Sequence, residues 1–388
     1  MTDFKINSEQ IKSAIADRRW LHENPELGFD LPKTTKYIIF YLEKNNINYS
    51  IDQDNIISVN FGNKGKTLLL RADMDALPIK EESGLEFSSK NGNMHACGHD
   101  FHSAILLNVA KLLKQKEPLL KNKVKLIFQP AEEIIEGGKK VVDNGYLDEV
   151  DNAIMLHLYP SLDVKAGTII IPEPGANTLS TDFFKIEVNG SGGHGAMPEK
   201  AIDPIIVASH IIINLMNICE REISFLNPTL ITIGKVISGE KSNIIASKAI
   251  IEGSIRTFDE QNKPFIYSRI KDISKFTAQT FRATAEAEIL KGCQSVVSDK
   301  LLIDKIKDLF ISENIKFENA INLFNKGKFI FGEDFSYYSA KVPSAIFLVA
   351  AGREEDGFKY PLHNPKVLFD ESLLANAINA LIAIALNY

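Results

Sequence analysis

The sequence has 388 residues, of which 45% are hydrophobic and 24% are charged. This length and composition are typical of a globular protein with two or three domains, and they exclude disordered chains and small disulfide-held modules. The net charge of −6 provides no basic field to hold a nucleic-acid backbone, so we expect no nucleic-acid partner.

Neither a membrane span nor a secretory signal is predicted. The longest apolar run covers residues 380–386, whereas a spanning helix needs roughly 18 residues. The first ten residues lack the apolar core of a signal peptide. Cys97, Cys219 and Cys293 are widely spaced, as is typical of free thiols in a reducing compartment. We therefore expect a cytoplasmic protein without membrane contact.

Strands and helices alternate between residue 55 and about residue 170. Such alternation predicts a mostly parallel sheet covered by helices, and a strand and a helix near the end of the chain continue it. The predicted strands cover 56–61, 67–72, 123–129, 152–158 and 343–350, and the predicted helices cover 102–114, about 137–144 and 371–387.

The middle of the chain has a different pattern, in the order β-α-β-β-α. This order predicts a small two-layer α+β unit. Its predicted strands cover 181–188, 230–236 and 249–258, and its helices cover about 203–218 and 263–284. We therefore predict an α/β protein in which a catalytic domain of residues 1–180 and 291–388 contains an inserted α+β domain at 181–290.

The window MHACGHDFH is the most unusual part of the sequence. Residues 95–102 hold three of the eight histidines and one of the three cysteines. Gly98 separates Cys97 from His99 and allows a tight turn, so that thiolate and imidazole can face one centre. These ligand types, together with carboxylates, suit Zn²⁺ or Mn²⁺ better than Ca²⁺.

Acidic residues and a histidine follow three predicted strands. Asp73 and Asp75 follow the first, Glu132 and Glu133 the second, and His157 ends the third. Each acid alone could cap a helix. However, the carboxyl ends of parallel strands share one edge of the sheet, where ligands bind. One acid of the adjacent pair can then bind metal while the other faces a substrate, which predicts metal-assisted hydrolysis.

A second glycine-rich motif, GSGGHG at 190–195, matches the fingerprint of dinucleotide-binding turns. The helix should open within that motif, yet Ala196, Met197 and Pro198 follow it, and no acidic residue lies near 210–216. We interpret the motif as a flexible loop that presents His194, with an exposed turn histidine as the alternative.

The motifs together resemble the M20 metallopeptidase superfamily, and more narrowly its amidohydrolase branch. That branch includes hippurate hydrolases, N-acyl-amino-acid amidohydrolases, indoleacetyl-amino-acid hydrolases and N-acetyldiaminopimelate deacetylases. The matching motifs lie at 18–29, 71–84, 94–104, 128–133, 155–160, 190–198, 242–258, 332–338 and 362–365.

The resemblance implies a zinc-peptidase-like catalytic domain and an inserted lid that also forms a homodimer. It implies two divalent metal ions, Zn²⁺ or Mn²⁺ with Co²⁺ or Ni²⁺ as alternatives. The implied metal ligands are Cys97, His99, Glu133, His157 and His363.

The remaining site residues follow from the same resemblance. Glu132 would be the general base, and an aspartate, either Asp73 or Asp75, would support the site. His194 would stabilise the developing oxyanion, in its own subunit or in the partner's. Asn243 and Arg256 would bind the carboxylate of the substrate, and strand alternation puts Arg256 on the polar face of its strand.

Two departures from the family pattern concern the site. Ile134 and Ile135 follow the acid pair where glycine is usual, and their bulk could reshape the acyl pocket. Lys366 and Val367 stand where an aromatic residue is common, although His363 itself is present.

The sequence therefore predicts a metal-dependent amidohydrolase that cleaves N-acyl amino acids to a carboxylate and a free amino acid. A dipeptidase of the same superfamily is the alternative. An inactive metal-binding protein would not need Glu132, and an oxidoreductase would require a bound nucleotide.

Overall fold

The computed structural model describes residues 5–224 and 227–388. It divides the chain into two compact units. Of the described residues, unit 1 contains 5–177, 296–329 and 334–388, and unit 2 contains 178–224, 227–295 and 330–333. The lid and dimerisation roles that we predict for residues 181–290 stay predictions.

Ten α-helices and sixteen strands are present in the described residues. The helices are α1 (Ser8–Glu23), α2 (Pro32–Lys44), α3 (His99–Lys116), α4 (Gly137–Asp143), α5 (Pro204–Asn217), α6 (Lys263–Thr280), α7 (Lys300–Ser312), α8 (Ala320–Leu323), α9 (Ser336–Ser339) and α10 (Leu373–Asn387). The strands are β1 (Tyr49–Ile51), β2 (Ile57–Phe61), β3 (Thr67–Asp73), β4 (Lys123–Gln129), β5 (Asn152–Tyr159), β6 (Ile169–Ile171), β7 (Gly175–Ala176), β8 (Ser180–Asn189), β9 (Gly193–His194), β10 (Thr229–Ser238), β11 (Ile244–Ile245), β12 (Lys248–Thr257), β13 (Thr284–Cys293), β14 (Val297–Ser298), β15 (Phe317–Asn319) and β16 (Ser344–Ala350).

Unit 1 is built on a ten-stranded sheet with the order β1-β2-β4-β3-β5-β16-β14-β7, to which β6 and β15 are added beside β16. Its central strands β4, β3, β5 and β16 run parallel. Every residue of β3 and β16 is buried, as expected for parallel strands covered on both faces. Helix α3 packs against β3, α1 and α10, and its apolar residues form much of the core.

Unit 2 is a four-stranded antiparallel sheet, in the order β10-β12-β8-β13, with helices α5 and α6. Alternate residues of β8 (Phe184, Ile186 and Val188) are buried and share a hydrophobic core with Val207 and Ile211 of α5. The short strands β9 and β11 form a separate antiparallel pair.

These observations confirm the predicted α/β fold with a mostly parallel sheet and a smaller α+β unit. The predicted helix over 263–284 is too long, because α6 ends at Thr280 and Arg282 adopts a left-handed backbone. Strand β13, which begins at Thr284, was not predicted. Within the described part of the chain, no helix combines the length and the apolar character needed to cross a membrane.

Candidate active site

The segment that follows β3 carries Asp75, which organises two neighbouring segments. Its carboxylate accepts the backbone N–H groups of Glu132 at 3.0 Å and of Glu133 at 3.1 Å. Its backbone carbonyl lies 2.9 Å from Nδ1 of His99. Asp75 therefore fixes the acid pair and leaves Nε2 of His99 directed away from this contact.

The loop that carries Cys97 and His99 turns into helix α3 through Gly98. Gly98 adopts φ 88°, and a Cβ there would lie 3.3 Å from the side chain of Leu158. Glycine is therefore required both by the left-handed backbone and by the close packing. His99 then begins α3, and both Cys97 and His99 are buried.

The acid pair follows β4 through Pro130 and a left-handed Ala131 (φ 62°). Oε2 of Glu132 and Oε1 of Glu133 each lie 3.9 Å from Nε2 of His99. The two carboxylates therefore lie close to the same imidazole nitrogen. Oε2 of Glu133 also lies 3.5 Å from Nε2 of His363.

The two remaining histidines come from different elements. His157 lies near the end of β5; its Nδ1 is 2.7 Å from the carbonyl of Leu158, and its Nε2 is 3.5 Å from Sγ of Cys97. His363 belongs to a loop, and its own backbone N–H donates a hydrogen bond to the carbonyl of Ala96. It has φ 63° and a side chain that is 52% exposed, so it forms the open side of the site.

Among the described residues of unit 1, four groups of ligand atoms converge here, each with its atoms within 4.8 Å of one another. They are Cys97, His99 and His157; Cys97, Glu133 and His363; His99, Glu132 and Glu133; and Asp73, His99 and His102. Nε2 of His99 and Oε1 of Glu133 are buried, and neither has a hydrogen-bond partner in the part of the chain that the structure describes. Such orphaned atoms, facing a thiol and imidazoles, fit divalent metal ions.

The pKa shifts of the site residues indicate a cluster of negative charge that favours bound positive charge. Burial lowers the pKa of His99, but Asp73 and the other nearby carboxylates outweigh it and raise that pKa to about 10. Burial and the charges of Asp75 and Asp73 raise the pKa of Glu133 to about 7, against the opposing effect of His99. Burial and His102 hold the pKa of His157 well below its usual value, which keeps this ring neutral.

Asp73 occupies a different place from Asp75. Its Oδ1 lies 2.6 Å from Nδ1 of His102, and its Oδ2 accepts a hydrogen bond of 2.6 Å from Arg71. Burial opposes ionisation, but His99, Arg71 and His102 hold the pKa of Asp73 well below its usual value. Asp73 therefore forms a buried ion pair beside the ligands, whereas Asp75 contacts the acid pair directly.

Sequence reasoning missed His102 as a site residue, although it lies in the histidine-rich window. Nε2 of His102 accepts the backbone N–H of Leu158 at 3.0 Å, while its Nδ1 faces Asp73. Because both ring nitrogens have partners, His102 braces the end of β5 next to His157 and has no nitrogen left for a metal. The signal that could have found it is its position three residues after His99 on one helix face.

The predicted residues of the inserted domain lie in unit 2. His194 is exposed on β9, where Ile244 is its strand partner and its Nδ1 accepts the N–H of Ala196 at 3.1 Å. The carbonyl of Asn243 accepts the N–H of Gly195. Arg256 is half-buried on β12, between the buried Ile255 and Thr257.

The two isoleucines after the acid pair differ in their environments. Ile134 is 56% exposed, and its Cδ1 lies 3.5 Å from where a Cβ on Gly28 would be. Ile135 has φ 60°, the left-handed region that glycine favours and that strains a β-branched residue. The backbone of this turn thus keeps a glycine-like conformation.

Comparison with known proteins agrees with this geometry. The profile described as Peptidase family M20/M25/M40 matches residues 69–387. N-acetyl-L-cysteine deacetylase of Bacillus subtilis is 33% identical over 94% of this chain and 86% of its own length. Thermostable carboxypeptidase 2 of Saccharolobus solfataricus is 34% identical over 93% of this chain and 91% of its own length. The crystal structure of a dinuclear metal-binding M20 peptidase from Bacillus subtilis is 30% identical, with a TM-score of 0.82 and 98% of each chain covered.

Proposed function

The chain belongs to peptidase family M20/M25/M40 and is a metal-dependent amide hydrolase, and we propose that its substrates are N-acylated amino acids. It would cleave the amide to release a carboxylate and a free amino acid. The observation that carries the proposal is the acid pair, in which Asp75 holds the backbone of Glu132 and Glu133, and one carboxylate oxygen of each lies 3.9 Å from the buried Nε2 of His99.

The proposed ligands for two metal ions are Cys97, His99, Glu133, His157 and His363. Their mixture of thiolate, imidazole and carboxylate suits Zn²⁺ or Mn²⁺, with Co²⁺ and Ni²⁺ as alternatives. Ions held there supply Lewis acidity, which acidifies water and polarises an amide carbonyl.

Glu132 is the proposed general base. Its carboxylate accepts a proton from the attacking water and then donates that proton to the amine nitrogen as the C–N bond breaks. Asp75 supports this step because it fixes the backbone of Glu132. We assign the supporting aspartate to Asp75 on this contact, and we assign Asp73 to the ion pair with Arg71.

The proposed substrate contacts in unit 2 are His194, Asn243 and Arg256. An arginine can donate two parallel hydrogen bonds to one carboxylate, which suits recognition of the amino-acid half. The buried Ile255 and Thr257 on either side of Arg256 support its placement on the polar face of β12. An exposed imidazole such as that of His194 can donate a hydrogen bond to an oxyanion.

A homodimer through unit 2 is part of the same proposal. Strand β10 is an edge strand of ten residues and carries the exposed side chains of Leu230, Val236 and Ile237. Exposed edges and apolar residues of this kind favour association with a second copy. Size-exclusion chromatography with light scattering tests the dimer, and a monomer at all concentrations would contradict it.

A carboxypeptidase is the second candidate, favoured by the similarity to thermostable carboxypeptidase 2. The last peptide bond of a peptide resembles an N-acyl amino acid, since both place a free carboxylate beside the scissile amide. The dipeptidase alternative differs in the free amine of its acyl half. The three candidate activities therefore differ in the chemical group on the acyl side of the scissile amide.

A substrate panel tests the proposal. Acetyl-, benzoyl- and indoleacetyl-amino acids would be compared with free dipeptides and N-blocked dipeptides, with Zn²⁺, Mn²⁺, Co²⁺ or Ni²⁺ added. We expect simple N-acyl amino acids to be hydrolysed fastest. Faster cleavage of N-blocked or free dipeptides would favour the carboxypeptidase or the dipeptidase.

A further inference from the structure

The motif GEDFSYY at 332–338 has no role in the mechanism above, yet its aspartate is tightly held in unit 1. Asp334 is fully buried, and its carboxylate accepts hydrogen bonds from three donors. These are Gly138 N at 2.6 Å, Arg71 Nη2 at 2.7 Å and Gln129 Nε2 at 2.9 Å. A Cβ at position 138 would lie 3.0 Å from Cγ of Asp334, so glycine is needed for this approach.

Arg71 connects this aspartate to the ends of two central strands. Its guanidinium is buried and reaches Asp73 at 2.6 Å, Asp334 at 2.7 Å and Oε1 of Gln129 at 3.0 Å. The planar guanidinium serves three acceptors at once, which an ammonium on a lysine stem cannot do in the same geometry. The hydroxyl of Tyr338 donates to the same oxygen of Gln129 at 2.8 Å.

The same segment reaches the acid pair through its backbone. The N–H of Asp334 points to Oε1 of Glu132, with an N···O distance of 3.4 Å. The other oxygen of Glu132, Oε2, faces Nε2 of His99. One carboxylate oxygen is thus directed toward the segment that Asp334 anchors, and the other is directed toward the ligand cluster.

We propose that Arg71, Gln129 and Asp334 form a buried clamp that positions the carboxylate of Glu132. These three are positioning residues, because they act through the backbone N–H of Asp334. A long hydrogen bond at 3.4 Å constrains its acceptor only while its donor is held firmly, and the clamp supplies that firmness. The inference rests on the proposed role of Glu132 as the general base.

The clamp predicts a loss in turnover with no loss in substrate binding. A general base must keep its orientation toward the attacking water, and a misplacement of about 1 Å can cost roughly 10²-fold in rate. Substrate binding does not depend on this orientation in the proposed mechanism. The expected signature is therefore a lower kcat with an unchanged KM and an unchanged metal content.

Asp334→Asn is the test variant, because it keeps the size and the backbone N–H of Asp334. The three partners of the carboxylate named above are donors, so the new amide group would face one of them and displace the segment. With N-acetyl-L-methionine or hippurate, whichever the Mn²⁺-loaded protein hydrolyses faster, we expect kcat to fall by roughly 10-fold to 100-fold. Arg71→Lys, which keeps the positive charge but cannot reach all three acceptors, should lower kcat in the same way.

Asp17→Asn is the matched control. Asp17 is a buried carboxyl of unit 1 on α1, and its partners are the hydroxyl of Tyr37 and the side-chain amide of Asn108. This variant loses a buried charge of the same kind and should keep kcat within about twofold. Thermal melting of both variants shows how far each substitution destabilises the fold.

A double-mutant cycle separates positioning from general damage. If the clamp acts through Glu132, Asp334→Asn should have little further effect on kcat in a Glu132→Gln background. An equal loss in both backgrounds would overturn the clamp, as would an unchanged kcat or a loss of metal in Asp334→Asn. If Glu132→Gln itself kept full kcat, the proposed role of Glu132 as general base would be wrong. That result is measured on the single variant and is therefore distinct from the outcomes that would overturn only the clamp.

Discussion

The carboxylate of Asp75 bonds to the backbone N–H groups of both Glu132 and Glu133. The charges of the two acids and of the aspartate that faces them repel one another. The two N–H donors nevertheless tie the turn after β4 to the segment that follows β3. The positions of the two acids therefore depend on one side chain that belongs to a different segment.

Asp75→Asn should consequently damage the site while it preserves the fold. The amide can accept only one of the two N–H groups, and its own NH2 would face the other. Because hydrogen bonds to a charged group contribute about 1.5–3 kcal/mol, we expect kcat/KM to fall by roughly 10-fold to 100-fold. Steady-state kinetics on the metal-loaded variant provide the measurement, and unchanged kinetics would refute this role of Asp75.

Glu132→Gln and Glu133→Gln should separate chemistry from metal binding. Glu132→Gln is expected to lower kcat by about 10² or more, since general bases contribute that much, with metal content near that of the parent. Glu133→Gln is expected to lose metal affinity. Elemental analysis and kinetics of both proteins test the pair, and the reverse pattern would exchange the two roles.

Metal removal should abolish turnover and lower the melting temperature. Nε2 of His99 and Oε1 of Glu133 are buried with no hydrogen-bond partner among the described residues, and any ion that binds only the folded state stabilises it. Cys97→Ala should weaken metal binding, whereas Cys219→Ala, which changes a half-buried thiol of unit 2, should not. Full activity of the chelated protein would exclude a metal mechanism.

Sequence patterns predicted the parts of the site that lie at strand ends. The strands β3, β4 and β5 are recognisable as short apolar runs, which are almost continuously buried in β3 and β5, so the amino-acid pattern alone predicts Asp73, Glu132 and His157 at one sheet edge. His363 lies in a loop with a left-handed backbone, which no periodicity marks, and only the family resemblance identifies it.

The features of the site that the sequence did not predict depend on contacts between segments that lie far apart in the chain. The choice between Asp73 and Asp75 depends on which one meets Arg71 and which one meets the turn after β4, and both residues lie at the end of the same strand. The role of His102 depends on the N–H of Leu158, which is 56 residues away. The clamp joins residues that are up to 263 positions apart, namely Arg71 and Asp334.

His95 should make folding sensitive to acid. Burial lowers the pKa of His95 to about 3, and neither of its ring nitrogens has a hydrogen-bond partner in the described structure. An unfolded histidine titrates near 6.5, so below that pH the unfolded state binds the extra proton. The stability contributed by the neutral ring is complete above about pH 6.5 and falls by about 1.4 kcal/mol per pH unit between about 6.5 and about 3.

Denaturant unfolding of the chelated protein between about pH 7 and about pH 4 measures this effect. His95→Leu should flatten the loss of stability on the acid side relative to the parent. The control His210→Leu changes an exposed histidine and should leave the slope as it is. Parallel pH curves for the parent and His95→Leu would show that His95 does not contribute.

Arg256→Ala should remove the preference for a free carboxylate. Arg256 lies on β12 between the buried Ile255 and Thr257, with its strand partners Leu230 and Thr181 on either side, so its side chain lies on the face of the strand opposite these buried neighbours. A bidentate bond to a carboxylate is charge-assisted, and its loss should raise KM for N-acyl amino acids by about 10-fold to 100-fold. The matching carboxamides, which lack the negative charge, should be affected little.

Lys248→Ala is the control, because Lys248 lies on the same strand and pairs with Glu187. This variant should keep the parent KM for both the free acids and the carboxamides. If the parent hydrolysed the carboxamides as well as the free acids, Arg256 would not read a carboxylate and the proposed substrate class would be wrong.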